Sequence, residues 1–304
     1  MIASFVKRAI HESKVLGALD RIYVCLGKQA QQSHIIQWFL AVREDPADTQ
    51  RSIFSKLFYG ILGIFGTLFE KIGLSRLLEG SILKEPFLWG ALAMALAPLL
   101  PTMAVLAIVM ISFVALFLQL VCEKKRMTYQ VLTKYVLLYA FVYLFATIFS
   151  VSLQDSLLGG ILSVAFTLFF VVISQSVDSK KKADILVRAL IIIGALVSVY
   201  GFYQYMHQDQ FSGQWVDADM FSSITFRVYS TLENPNVLGE YFLLVLPFAA
   251  SIFLTAKNKA DRFVSFICGC AMLVCLVLTY SRGCYLGLLV SAAAFLVLID
   301  RRFL

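Results

Sequence analysis

Apolar and polar positions along the chain fall into two regimes that meet near residue 85. Beyond that point, long uncharged runs alternate with short polar connections, the pattern of consecutive membrane-spanning helices. Pro86–Val121 carries no charged residue and is too long for one span. Pro98 and Pro101 interrupt it, and proline removes a helix donor and clashes with the preceding turn. The expected division is two short spans meeting at Ala97–Thr102. Further spans are expected near Tyr129–Phe149, Leu157–Ser174, Ile185–Tyr205, Val237–Thr255, Phe263–Thr279 and Cys284–Ile299. A short loop with Asp155 and a long polar loop, His207–Asn236, fall between them. The expected architecture is all-α: a polytopic membrane helix bundle of about eight spans.

Residues 1–85 contain no run long enough to span, and eleven of the 26 lysines and arginines lie there. Leu57–Phe69 is uncharged, with Arg51, Lys56, Lys71, Arg76 and Lys84 around it. Basic flanks on both sides argue against crossing, and so short a run is expected to lie in the interface. Gly60, Gly63 and Gly66 suit a helix packed on something rather than one alone in lipid. The chain therefore divides into a membrane-apposed helical segment, 1–85, and a transmembrane bundle, 86–304.

Charge placement tests the alternation. Loops that should share one side hold Lys124, Lys125 and Arg126; Lys180–Lys182 with Arg188; Lys257, Lys259 and Arg262; and Arg301 and Arg302. The opposite loops hold only Arg227 and Arg282. Such an asymmetry predicts that both termini are cytoplasmic. It also removes the nucleic-acid reading that a net charge of +7 would invite, because these cations mark topology. With 60% hydrophobic and only 15% charged residues, a soluble domain is excluded. Cys25, Cys122, Cys268, Cys270, Cys275 and Cys284 fit no zinc spacing, and no metal or cofactor is expected. There is no phosphate loop, dinucleotide fingerprint or HExxH motif.

Arg282, in Thr279-Tyr-Ser-Arg-Gly283, is the only charged residue between Phe263 and Ile299. An arginine at the membrane edge either reaches lipid headgroups or presents its fork of donors to a phosphate. Gly283, Gly287 and Ser291 form a small-residue face beside it, expected to pack closely on another helix. Arg227 precedes Asn234-Pro-Asn236, where Asn234 suits an N-cap and Pro235 the first helical position. A solvated loop charge and a well-formed helix start explain that stretch without function; an arginine beside a helix N-terminus is also an anion site. Glu240 is expected in the first turn of its span. His207, Asp209, Asp217, Asp219, Glu233 and Glu240 are the acid–base candidates on that side, and spacing pairs none of them. Tyr200-Gly-Phe-Tyr-Gln-Tyr205 is expected to anchor a span as an aromatic belt.

Arg227 ahead of Asn234-Pro-Asn236 and a span, followed by the Thr279–Gly283 junction, resembles the bacterial O-antigen ligase/polymerase family over roughly 185–304. The resemblance implies a multi-pass protein of the bacterial cytoplasmic membrane that makes cell-surface polysaccharide. It would transfer or polymerise glycans carried on undecaprenyl diphosphate, at the outer face, to a glycan, lipid or protein acceptor. Arg227 and Arg282 would bind the diphosphate, with Asn234, Asn236, Ser281 and Glu240 in support. Members usually continue into a large outer loop with a catalytic histidine. This sequence ends after Arg301-Arg302 with nothing to match that loop, so a partial chain is expected, with the catalytic residue unassigned. A small-anion transporter such as a bicarbonate carrier, or a membrane scaffold without chemistry, are the alternatives. A transporter would show internal repeats and polar groups at mid-depth, and neither is evident.

Overall fold

The computed structural model describes residues 53–128, 132–211, 215 and 226–299. Both chain ends, and with them Asp217 and Asp219, lie outside the described residues, as do the expected cytoplasmic termini. Every regular element among the described residues is helical. The helices are α1 (Ile53–Lys71), α2 (Leu74–Leu77), α3 (Pro86–Leu96), α4 (Thr102–Cys122), α5 (Thr133–Ile148), α6 (Leu153–Ser176), α7 (Lys180–Met206), α8 (Pro235–Thr255), α9 (Lys259–Leu278) and α10 (Arg282–Ile299).

Five of them, α4, α6, α7, α8 and α9, are long and apolar enough to cross a membrane. Three more apolar segments are shorter: Pro86–Leu96, Thr133–Ile148 and Arg282–Leu296. The proline-rich break falls where the sequence puts it, but it divides the run unequally. Helix α3 has 11 residues and α4 has 21. At 1.5 Å per residue α3 rises only about 16 Å, half a hydrocarbon layer. Helix α6 starts one turn earlier than the apolar run implies, and Ser152 at its N-cap position donates its hydroxyl to Asp155 Oδ2 at 2.5 Å. Asp155 therefore lies in the first turn of α6, where the helix dipole favours a carboxylate, and not in a loop.

Two groups of helices make up the bundle. In one, α4 packs on α3 and α6, α5 lies on α6, and α1 lies on α4. In the other, α7, α8 and α9 surround a core of Ile191, Val197, Leu238, Phe242, Met272 and Leu276, with α10 against α8. Helix α7 joins the groups through α3. At one end the lysine-bearing connections gather. Lys84 meets Glu123 at 3.3 Å, Lys124 meets Glu70 at 3.1 Å, and Asp178 meets Lys182 at 3.0 Å and Lys125 at 3.6 Å. The hydrogen bond from Lys182 is the main reason the Asp178 carboxyl sits below its usual pKa.

Glycine sets the spacing at several crossings, and α5 on α6 is the tightest. A Cβ on Gly160 would lie 2.2 Å from Thr147 Oγ1, whereas Gly159 has nothing within 4 Å. Gly160→Ala is therefore expected to destabilise by about 1–3 kcal/mol through overpacking. Gly159→Ala is expected to stabilise by about 0.5–1 kcal/mol, because alanine loses less backbone entropy in a helix. Denaturation of the two variants in one detergent, followed by helical circular dichroism, checks the difference in sign.

Candidate functional site

The two arginine-bearing stretches meet at the end of the bundle opposite the lysine-rich connections. Each is built by a helix start. Asn234, extended at φ −139° and ψ 123°, caps α8 by accepting from the Asn236 N–H at 2.8 Å, and Pro235 follows at the first helical position. At the other junction the Thr279 hydroxyl donates to Leu276 O at 2.7 Å and accepts from the Ser281 N–H at 3.3 Å. Thr279 and Ser281 are both buried, and Tyr280 between them takes φ +49°. These residues turn the chain from α9 into α10. Their work is structural.

Between the two junctions runs the extended segment Phe226–Tyr229. Phe226 and Val228 point into the core at 3% and 0% exposure, so Arg227 points the other way. The Val228 N–H donates to Leu278 O at 3.0 Å, laying this segment along the end of α9. Gln204, 1% exposed on α7, holds its far end. The Gln204 Oε1 accepts from the Ser230 N–H at 2.7 Å and the Tyr229 N–H at 3.4 Å, while Nε2 donates to Ser230 O at 3.4 Å. The Ser230 hydroxyl donates to Val197 O at 2.7 Å. Gly201 makes room: a Cβ there would sit 2.5 Å from Cys275 Sγ and 3.0 Å from Val228 Cγ1.

Arg227 links the pieces. Its Nε donates to Thr279 O at 2.8 Å, Nη2 to Asn236 Oδ1 at 3.0 Å and Nη1 to Trp215 O at 3.3 Å. One guanidinium thus spans the α9–α10 junction, the start of α8 and the long polar loop. Burial, the largest influence on it, lowers the Arg227 pKa, yet a guanidinium keeps its proton at any physiological pH. Three of its five N–H groups are engaged in these contacts, so Arg227 is an organising residue as well as a charge.

Arg282 is the first residue of α10 and is exposed. A cation at a helix N-terminus stands where the dipole disfavours it, by about 0.3–1 kcal/mol, so an anion there satisfies both. Helix α8 begins at the same corner. Asn236 touches α10 through its carbonyl, which lies 3.6 Å from Cys284 Sγ. The two helices run parallel from there. A Cβ on Gly239 would lie 2.4 Å from Cys284 Sγ, and one on Gly287 would lie 2.8 Å from Leu243 Cδ1. The expected small-residue face exists, but Cys284 and Gly287 form it, while Gly283 has nothing within 4 Å. Glu240 is the sixth residue of α8, beyond its first turn, because the helix starts at Pro235, two residues before the apolar run. Glu240 is exposed, one turn along from Asn236 on the same face.

The remaining acid–base candidates do not converge on the arginines. The His207 ring nitrogen lies 3.0 Å from Tyr203 O and its ring 4.4 Å from that of Tyr203. Glu233 takes φ +59° in the turn before α8 and is exposed. Among the described residues no three His, Cys, Asp or Glu side chains are grouped to hold a metal. Among the described residues, three of the four non-glycine residues with positive φ, Ser230, Glu233 and Tyr280, lie in this corner. Such backbone persists only where the surroundings hold it.

Gln204 is the residue that the sequence hides. It stands in an aromatic run, and nothing in its spacing marks it as the anchor of a loop more than twenty residues away. Gln204→Ala strands two backbone N–H groups and is expected to cost about 1–3 kcal/mol. Faster hydrogen exchange at 228–231 than in the native chain, with α4 and α6 unchanged, checks it. The chain matches no protein-family model, no curated protein and no solved structure.

Proposed function

We propose that this chain is a membrane glycosyl-transfer protein of the O-antigen ligase/polymerase type, handling undecaprenyl-diphosphate-linked glycans for surface polysaccharide. The observation that carries the reading is the Arg227 bracket. It joins the Asn-Pro-Asn start of α8 to the Thr279–Gly283 junction through Asn236 Oδ1 and Thr279 O. Two motifs that are weak apart become one corner with two arginines and two helix N-termini, an arrangement suited to a diphosphate. Arg282 is the principal phosphate ligand in this reading. Arg227 holds the corner together and adds its charge, and Glu240 stands one turn away as a carboxylate for the acceptor side. The electrostatic role is to stabilise the departing diphosphate as the glycosidic bond to it breaks.

The topology proposed with it has eight apolar segments, both chain ends on the cytoplasmic lysine-rich side and the arginine corner outside. The short α3 does not disturb this sidedness. Glu85 and Phe87, beside its start, line one small cleft with Lys125 and Lys182, so α3 begins and α4 ends at the lysine-rich end. In the host cell, Arg282→Ala is expected to reduce surface polysaccharide at least about a hundredfold, as loss of an electrostatic contact at a leaving group does. Lipid-linked glycan should accumulate while the amount of protein in the membrane stays at the native level. Normal polysaccharide in that variant would refute the reading.

A further inference from the structure

At the lysine-rich end a cavity of about 310 Å³ opens between α1 and the connection that follows α4. It belongs to no part of the arginine corner. Lys124, Lys125 and Arg126 line one wall; Tyr59, Gly63 and Gly66 of α1 line the other. We infer that this cavity is a binding site for a phosphate group, carried on the head of an anionic phospholipid in the adjoining leaflet.

Four observations support the assignment. First, the basic connection is built, not draped. The Met127 N–H donates to Tyr59 OH at 2.9 Å, tying it to α1. Gln175 on α6 grips Thr128 with both amide ends, accepting from its N–H at 2.7 Å and donating to its carbonyl at 2.8 Å. A loop already fixed loses little entropy when it takes a ligand. Lys124 takes φ +50°, the one non-glycine residue among the described residues with positive φ outside the arginine corner.

Second, the local carboxylates leave the wall positive. Among the described residues Glu70 is the only acid lining the cavity, against three cations. It meets Lys124, Glu123 turns away to Lys84, and Lys125 has only a share of Asp178, which Lys182 holds more closely. Arg126 is in no ion pair among the described residues and lies with its guanidinium carbon 5.7 Å from the Tyr59 ring centre. An arginine stacked on a ring keeps its edge donors for a planar or tetrahedral oxyanion.

Third, glycine leaves the space open. Gly63 has nothing within 4 Å of its would-be Cβ, and the volume it vacates is part of the cavity. Fourth, apolar surface adjoins the cations, on the helix that lines the cavity's other wall. Helix α1 docks on α4 through Leu62 against Leu116, Leu120 and Val121, and leaves Leu57, Ile61, Ile64 and Leu68 exposed along one stripe. That stripe suits acyl chains, and the cations at the helix's edge suit phosphates.

The test uses the full chain purified in non-ionic detergent. The probes are dihexanoyl phosphatidylglycerol, dihexanoyl phosphatidylcholine and inorganic phosphate, each followed by native mass spectrometry and titration. One equivalent of phosphatidylglycerol should bind, at least about tenfold more tightly than phosphatidylcholine, and inorganic phosphate should compete with it. The triple variant K124Q/K125Q/R126Q should weaken binding by about tenfold or more, while K180Q/K181Q/K257Q, which removes equal charge at the same end, should change it less than about twofold. Gly63→Leu fills the cavity and leaves every charge in place, so it should also abolish binding even if the triple variant fails to fold. Inorganic phosphate binding as tightly as the lipid, with the same variant pattern, would uphold the phosphate site and assign it to a free phosphate. Equal loss in both triple variants, or native binding in Gly63→Leu, would overturn the proposal.

Discussion

Arg227→Ala is expected to be the most destabilising exchange of any charged residue among those described, by about 3 kcal/mol. Three donors from one guanidinium meet Thr279 O, Asn236 Oδ1 and Trp215 O, and removal leaves all three acceptors to water or to nothing. A hydrogen bond from a charged donor is worth about 1.5–3 kcal/mol, and partial exposure of Arg227 keeps the total for its three bonds well below their sum. Lysine cannot replace it. A single ammonium reaches one or two of acceptors that a planar fork reaches together, so Arg227→Lys should recover no more than about a third of the loss. Arg282→Ala, which removes an exposed side chain, should cost less than Arg227→Ala. Chemical denaturation in detergent, followed by helical circular dichroism, compares the two arginines.

Gly239→Ala is expected to cost about 1–3 kcal/mol, the range for overpacking a close contact. The added carbon would lie 2.4 Å from Cys284 Sγ and 2.9 Å from Cys284 Cβ, so α8 and α10 must part. Because α10 begins at Arg282, parting them shifts that arginine away from Asn236 and Arg227. The contact is specific to one side chain. Cys284→Gly removes both clashing atoms, so the double variant should recover about 1–2 kcal/mol beyond additivity even though glycine itself weakens α10. A double-mutant cycle on denaturation midpoints measures the coupling. Additive losses would mean that the crossing is set elsewhere.

The helices were legible in the sequence because uncharged runs and basic loops are long-range signals that packing does not alter. Starts were placed one or two turns late at α6, α7 and α9, since caps such as Ser152, Ser179 and Asn258 lie among polar residues outside the apolar run. Uneven lengths of α3 and α4 were not legible. Proline fixes where a helix breaks, but how far each arm extends depends on its neighbours. At the arginine corner the sequence marks the helix start but not the contacts that join the two junctions. Asn234 and Pro235 cap α8 as their types dictate, whereas Arg227, which by itself resembles a solvated loop charge, spans three segments. Its partners are two backbone carbonyls and one amide, and no residue type advertises a carbonyl. Glu240 lies two residues deeper than the apolar run implies, because the helix starts at Pro235. The basic cavity combines residues 59–66 with 124–126, a juxtaposition no local pattern contains.

The central claim is that the corner joined by Arg227 holds a diphosphate through Arg282. Titrating farnesyl diphosphate into the purified chain tests it most directly, because binding does not require turnover. The native chain should bind, inorganic diphosphate should compete, and Arg282→Gln should weaken binding by about tenfold or more without lowering stability. Native affinity in Arg282→Gln would contradict the account.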